Sequence, residues 1–180
     1  MQLSPSLRTL AQALTDLPSI GPRQAIRLAL YLGSLPQAER ENIIEALQKV
    51  AAVRKGTFCN LPHEEESKDC VICSNSERNK KILMLVEKET DLLSLEKTGS
   101  FIGRYLILGS LPRNGALSSW QERQVEKIKN EERFEEIIFA LNPTTSGDQQ
   151  ASIMANLLKD STEKITRLGR GLPRGGEIEF

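Results

Sequence analysis

Three short apolar runs in the second half of the chain constrain its fold more than any other feature. Residues 82–86 (Ile-Leu-Met-Leu-Val), 105–108 (Tyr-Leu-Ile-Leu) and 137–140 (Ile-Ile-Phe-Ala) have the length of buried strands, and each is followed by a stretch with helical patterning. Helices are expected over 88–97, over 118–130 with Ser118 or Ser119 as cap, and over 147–158; residues 164–167 are a candidate fourth strand. Strands alternating with helices imply a parallel sheet covered by helices. With 180 residues and 39% hydrophobic content, the chain has enough apolar surface for such a core.

The N-terminal third follows a different period. Leu3, Leu7, Leu10 and Leu14 recur at helical spacing, with Ser4-Pro5 as a start and an end near Asp16. A second helix is expected from Pro22 to Leu32, opened by proline at its first position and ended by Gly33. A third is expected from Pro36 to Val53, with Ile43, Ile44, Leu47 and Val50 on one stripe. The fold class is therefore α/β with an N-terminal all-helical region.

Between the first two helices lies Leu17-Pro-Ser-Ile-Gly-Pro-Arg-Gln-Ala, which has the hydrophobic-Pro-x-Ile-Gly-x-x-x-Ala form of a helix-hairpin-helix. Gly21 suits a tight hairpin and a close approach to a phosphate. The helix behind it turns free N–H groups and a positive dipole end to the same place. Arg23 and Arg27 lie four apart, so they share a face and can both reach phosphates. Such contacts are independent of base sequence and weaken with salt. The plainer alternative is an ordinary turn with two surface arginines.

Residues 56–79 are polar, weakly periodic and too few to bury a core, so they need a staple. They hold the three cysteines, Cys59, Cys70 and Cys73, within 15 residues. An odd, clustered set suggests metal rather than disulfide. Cys70-Val-Ile-Cys73 has the gap that lets two thiolates share one zinc, and Cys59 would be a third ligand. A fourth cysteine would be expected two or three residues from Cys59, yet position 56 is Gly and position 57 is Thr. His63, the one histidine of the chain, is a candidate fourth ligand; water, or no metal at all, are the alternatives. Nothing beside the cluster looks like a general base, which favours a structural role.

Formal net charge is zero, from 24 basic and 24 acidic residues, so the total offers no argument for nucleic acid. The distribution is more informative: residues 1–55 carry seven Lys/Arg against four acids, and residues 164–176 carry Lys164, Arg167, Arg170 and Arg174 with no acid, an unevenness that fits a basic face or, as in most proteins, plain solvated surface. No apolar run approaches the roughly 18 residues of a membrane span, and the start lacks a signal-peptide pattern. A cytoplasmic address with no membrane partner is expected.

Hairpin, cysteine knuckle and α/β unit in this order resemble the RecR family of bacterial recombination proteins. The markers are Leu17-Pro-Ser-Ile-Gly-Pro-Arg23, Cys70-Val-Ile-Cys73, Asn142-Pro-Thr144 followed by Gly147, and above all Thr166-Arg-Leu-Gly-Arg-Gly-Leu-Pro-Arg-Gly-Gly-Glu177. The resemblance implies residues 1–55 as a helix-hairpin-helix region, 56–79 as a degenerate zinc finger, 80–175 as a Toprim domain and 176–180 as a shortened tail. In Toprim enzymes a Glu after the first strand and an Asp-x-Asp after the third hold magnesium. Glu87 fits the first position, but the second reads Asn142-Pro-Thr144, with Asp148 as an uncertain substitute. A hard dication prefers several charged oxygens, so no catalytic magnesium and no enzyme activity are expected.

The resemblance further implies a homo-oligomer, a dimer or a tetrameric ring, that clamps single- or double-stranded DNA. With RecO, and in some settings RecF, it would help load RecA onto single-stranded DNA. Glu87, Asn142 and Asp148 become candidate partner surface; for Glu87 the plainer reading is a carboxylate at a helix N-terminus. The chain departs from the family pattern at the missing first knuckle cysteine, at Leu106 (usually His), at Ser146 (usually Glu) and in stopping at Phe180. Two other functions stay open at this point. One is a magnesium-dependent nuclease or primase-like enzyme built on Glu87, and the other is a degenerate interaction module that keeps the fold without clamping DNA.

Overall fold

A computed structural model describes residues 3–64 and 69–169. The chain divides into two compact units, one up to Ala52 and the other from Val53 onward.

The first unit is helical: α1 (Pro5–Thr15), α2 (Pro22–Ser34) and α3 (Gln37–Val50). Helices α1 and α2 pack against each other through small residues, with Ala11, Ala25 and Ala29 buried. Gly33 belongs to this contact: a Cβ there would lie 2.9 Å from Leu7 Cδ2. Gly33 was expected to end α2, and it does not. The helix runs on to Ser34, and Leu35 is extended with ψ 150° because Pro36 disfavours the helical region in the residue before it. Helix α3 stops at Val50, three residues short of the expected end, with its cap N–H bonded to Gln48 and Lys49 carbonyls. Its apolar stripe forms as expected, but Ile44, Leu47 and Val50 remain 53–66% exposed.

The second unit begins with a two-residue pairing of β1 (Arg54–Lys55) and β2 (Pro62–His63), antiparallel. The main sheet follows: β3 (Asn79–Val86), α4 (Glu89–Glu96), β4 (Gly103–Ile107), α5 (Ser119–Lys129), β5 (Phe134–Ala140), α6 (Thr145–Leu158) and β6 (Thr162–Arg167). Strand order is β4-β3-β5-β6, every pairing parallel. Each expected strand and helix of this half is present; every strand starts two or three residues earlier than expected, and β4 ends at Ile107, one residue short.

Strand β3 lies between β4 and β5, so its alternate side chains face two covers. Leu83 and Leu85 join Leu106, Ile137 and Phe139 in a core closed by Val125 and Ile128 of α5 and Met154 and Leu158 of α6. Met84 and Val86 join Tyr105, Ile107 and Ala140 on the other face. Leu92 of α4 covers part of that face, and the cysteine segment covers the rest through Cys59, Leu61, Cys70 and Ile72. The chain winds one way from β3 to β4 and the other way to β5, which leaves a crevice at the C-terminal end of β3. Glu87 is the next residue.

Two capping arrangements fix the loops around that crevice. Ser118 accepts from the Gln121 N–H while Gln121 Oε1 accepts from the Ser118 N–H, a reciprocal box at the start of α5. Gln121 is buried, and its Nε2 donates to the Leu108 carbonyl at 3.1 Å. At α6, Thr144 Oγ1 accepts from Gly147 N–H at 3.1 Å. A Cβ on Gly147 would fall 2.0 Å from the Asn142 carbonyl oxygen, so only glycine fits beneath this turn.

Leu85 is fully buried at the centre of the sheet, opposite Leu106 and Phe139. Leu85→Ala is expected to cost about 2–5 kcal/mol, seen as a lower urea midpoint with an unchanged slope. A change under about 1 kcal/mol would mean that the sheet collapses around the lost side chain.

Candidate functional site

The structure places the sequence-predicted residues at three separate locations. The first is the hairpin. Residues 16–21 turn between α1 and α2 with the Leu17 N–H on the Leu14 carbonyl and the Ile20 N–H on the Leu17 carbonyl. The left-handed residue of this turn is Ser19, with φ 66°, while Gly21 sits at φ −84° as the N-cap of α2. Gly21 is therefore not needed for an unusual backbone angle. What it provides is room, since nothing lies within 4 Å of the place a Cβ would occupy. Arg23 and Arg27 are both exposed on α2, and neither forms an ion pair with a described residue.

The second location is the cysteine knuckle. The β1–β2 pairing brings the chain back on itself, with Gly56 N–H donating to the Leu61 carbonyl at 2.9 Å and Asn60 in the left-handed region at φ 64°. This turns the Leu61 N–H onto Cys59 Sγ at 3.3 Å. The sulfurs of Cys59, Cys70 and Cys73 all lie within 4.8 Å of one another, and Cys59 and Cys70 are 3.3 Å apart. A tetrahedral zinc with Zn–S near 2.3 Å would hold its sulfurs about 3.8 Å apart. The observed triangle brackets that value, so the donor set and its spacing suit zinc. Hydrogen bonding with Cys59 holds the Cys70 thiol down at about 2, and the same pairing pushes Cys59 up. Hydrogen bonds from the neighbouring thiols thus favour the ionised form at Cys70, the form that binds metal. His63 is not part of the sulfur triangle.

Several contacts tie the knuckle to the sheet. Ile107 N–H donates to the Cys59 carbonyl at 3.0 Å, and Asn60 Nδ2 donates to the Ile107 carbonyl at 3.1 Å and to Gln124 Oε1 at 3.0 Å. Lys127 Nζ donates to the Thr57 carbonyl at 2.9 Å. Arg104 lies over the Phe58 ring, 3.4 Å from its centroid, with its charge paired to Glu131 at 2.6 Å.

The third location is the crevice beyond β3. Glu87 Oε2 accepts from Asn142 Nδ2 at 2.6 Å, and Oε1 accepts from Ser110 Oγ at 2.5 Å. Where a Toprim enzyme would place a second acid, this chain places an amide that donates to the first. Asp148, in the first turn of α6, pairs with Arg167 of β6 at 2.6 Å. Among the described residues, the three cysteines form the one cluster of three or more metal-ligating groups. Sequence reasoning did not reach Ser110 or the Arg167 partner of Asp148. The signal for Ser110 was its place just after Gly109, whose φ of 69° turns the chain at the end of β4. Only Thr166 to Gly169 of the terminal hallmark lies within the described residues; Arg170, Arg174 and the 176–180 tail lie outside them.

The Toprim domain family model matches residues 81–169. Recombination protein RecR of Carboxydothermus hydrogenoformans is 36% identical over 189 aligned residues, covering 100% of this chain and 92% of the relative. The chain belongs to the RecR family. RecR proteins of Bifidobacterium adolescentis and Bifidobacterium animalis subsp. lactis are each 32% identical, covering 97% of this chain and 88% of the relative. The RecR assignment agrees with the helical N-terminus, cysteine cluster and four-stranded parallel sheet described above. Among the described residues no helix is long and apolar enough to cross a membrane.

Asn142→Asp would set two carboxylates against each other and remove the 2.6 Å donor to Glu87. The variant is expected to lose about 1–3 kcal/mol in urea without divalent cations. Magnesium should restore part of that loss while leaving the unsubstituted protein's midpoint unmoved. Equal magnesium stabilisation of both proteins would show that Glu87 already works as a cation ligand.

Proposed function

We propose that this RecR-family chain is a non-catalytic DNA-binding protein of recombinational repair. In this reading it is an oligomeric clamp, a dimer or a tetrameric ring, that holds single- or double-stranded DNA without sequence preference. It acts with RecO and RecF to help load RecA on single-stranded DNA in the bacterial cytoplasm. The three-part division at 55 and 79 is kept as its functional plan: hairpin for DNA, knuckle for metal, Toprim unit for partners.

The observation that carries this reading is the start of α2. Open space at Gly21 lets a phosphate oxygen come close to backbone N–H groups. Arg23 and Arg27 stand exposed one turn apart behind it, with no intramolecular ion pair among the described residues to hold them back. Charge used this way attracts a polyanion by releasing its counterions. The uncovered stripe of Ile44, Leu47 and Val50 on α3 supports an oligomer, because exposed apolar patches favour association.

The Glu87 site supports the non-catalytic part. Magnesium-assisted phosphate chemistry needs several carboxylate oxygens. Here both oxygens of Glu87 are engaged by neutral donors, and Asp148 is neutralised by Arg167. An acid held in place by neutral donors keeps its charge and its direction, which suits recognition by a basic partner surface such as RecO or RecF. Zinc is the metal proposed for Cys59, Cys70 and Cys73. When bound, it would cross-link a loop that covers one face of the sheet.

Arg23→Ala with Arg27→Ala is expected to weaken binding to both single- and double-stranded oligonucleotides. It should also make the slope of log affinity against log salt shallower by about 2, roughly one per lost phosphate contact. An unchanged slope would place the DNA site elsewhere. Metal analysis of the full chain is expected to find about one zinc per chain. Removing it with a chelator should lower the melting temperature. A metal-free protein whose melting is indifferent to chelator would rule the zinc out.

A further inference from the structure

The knuckle has three sulfurs and one open corner, and the residues around that corner identify what fills it. Gly56 stands three residues before Cys59, at the spacing a fourth thiol would need. Its φ is not in the left-handed region, so the backbone does not call for glycine. A Cβ built there would lie 2.9 Å from Cys59 Sγ and 3.8 Å from His63 Cδ2. The space left by the missing side chain is thus bordered by the sulfur on one side and the imidazole on the other. The β1–β2 pairing sets His63 there by register, opposite Arg54.

The ring's own hydrogen bonding adds a second observation. His63 Nδ1 is 2.8 Å from the Glu64 backbone carbonyl oxygen. A carbonyl only accepts, so Nδ1 carries the hydrogen and Nε2 carries the lone pair of the neutral ring. Nε2 is buried and has no hydrogen-bond partner among the described residues. A buried acceptor left without a donor is costly, and a cation would satisfy it. Donation of one ring N–H to a backbone carbonyl while the other nitrogen faces a metal is also how zinc-bound histidines are oriented.

We infer that His63, through Nε2, is the fourth ligand of a three-thiolate, one-imidazole zinc site, standing in for the side chain absent at position 56. The inference rests on the zinc reading above and adds the identity of the closing ligand. The ring stands outside the sulfur triangle, so its closure onto the ion is part of metal binding. A neutral nitrogen in place of a fourth thiolate leaves the loaded site one negative charge poorer. It also closes the site, which removes the open position that zinc catalysis would need.

The test is a titration of the full-length metal-free protein with Co2+ alone, followed by visible and near-ultraviolet absorption. Three proteins are compared: the unsubstituted chain, His63→Ala, and His63→Ala combined with Gly56→Cys. The unsubstituted chain is expected to bind one cobalt with the strong visible bands of a tetrahedral ion. His63→Ala should weaken binding by roughly 100-fold, at least the 10–100-fold that losing an outer-shell partner costs. The double variant should recover the affinity, with thiolate charge-transfer absorption per cobalt about one third higher as three sulfurs become four. His63→Ala with unchanged affinity and bands would overturn the inference and leave water at the fourth position. Loss in His63→Ala without recovery in the double variant would also overturn it, as a folding effect of the ring. No cobalt bound by the unsubstituted chain would remove the zinc reading itself, a result separable from the other two.

Discussion

Strand β3 has to be covered on both faces, and the second unit is arranged around that requirement. A parallel strand at the centre of a sheet has no face it can leave to water. One face is met in the ordinary way by two helices, α5 and α6. The other has only the eight-residue helix α4, which contributes Leu92 as its one buried residue. The cysteine segment supplies the remaining cover, with Cys59, Leu61, Cys70 and Ile72 packed over Met84, Val86 and Ile107. The knuckle is therefore part of the core as well as a candidate metal loop. Polar ties at Ile107, Asn60 and Lys127 hold it down where its own apolar area is small.

The same strand sets the chemistry at its end. Winding outward from β3 in both directions opens a crevice there, and Glu87 occupies it by position alone. What the crevice can do is then decided by which atoms meet that carboxylate. Donors from Ser110 and Asn142 engage both oxygens of Glu87, so the carboxylate meets neutral hydrogen-bonding groups there. The Gly147 turn, where a Cβ would strike the Asn142 carbonyl, holds the Asn142 loop in that position.

Much of this was legible from residues alone. Apolar period and run length marked every strand and helix of the α/β unit, because burial on one or two faces leaves a strong imprint on sequence. Chain stops were less legible. Gly33 looked like a terminator but serves a close approach to Leu7, and Pro36 ends the helix through the residue before it. Gly21 leaves open space at the start of α2, but the turning angle expected of it belongs to Ser19. Cysteine spacing suggested the metal group, and folding gathers its three sulfurs. Partners brought together by tertiary structure, such as Ser110 with Glu87 or Arg167 with Asp148, lie 23 and 19 residues apart and leave no local pattern to read.

Because the knuckle roofs Met84 and Val86, the strand it covers is the one that ends at Glu87. Loosening the cysteine segment would therefore bare apolar residues within one position of the crevice, so order in a polar loop of few residues bears on how firmly Glu87 is held.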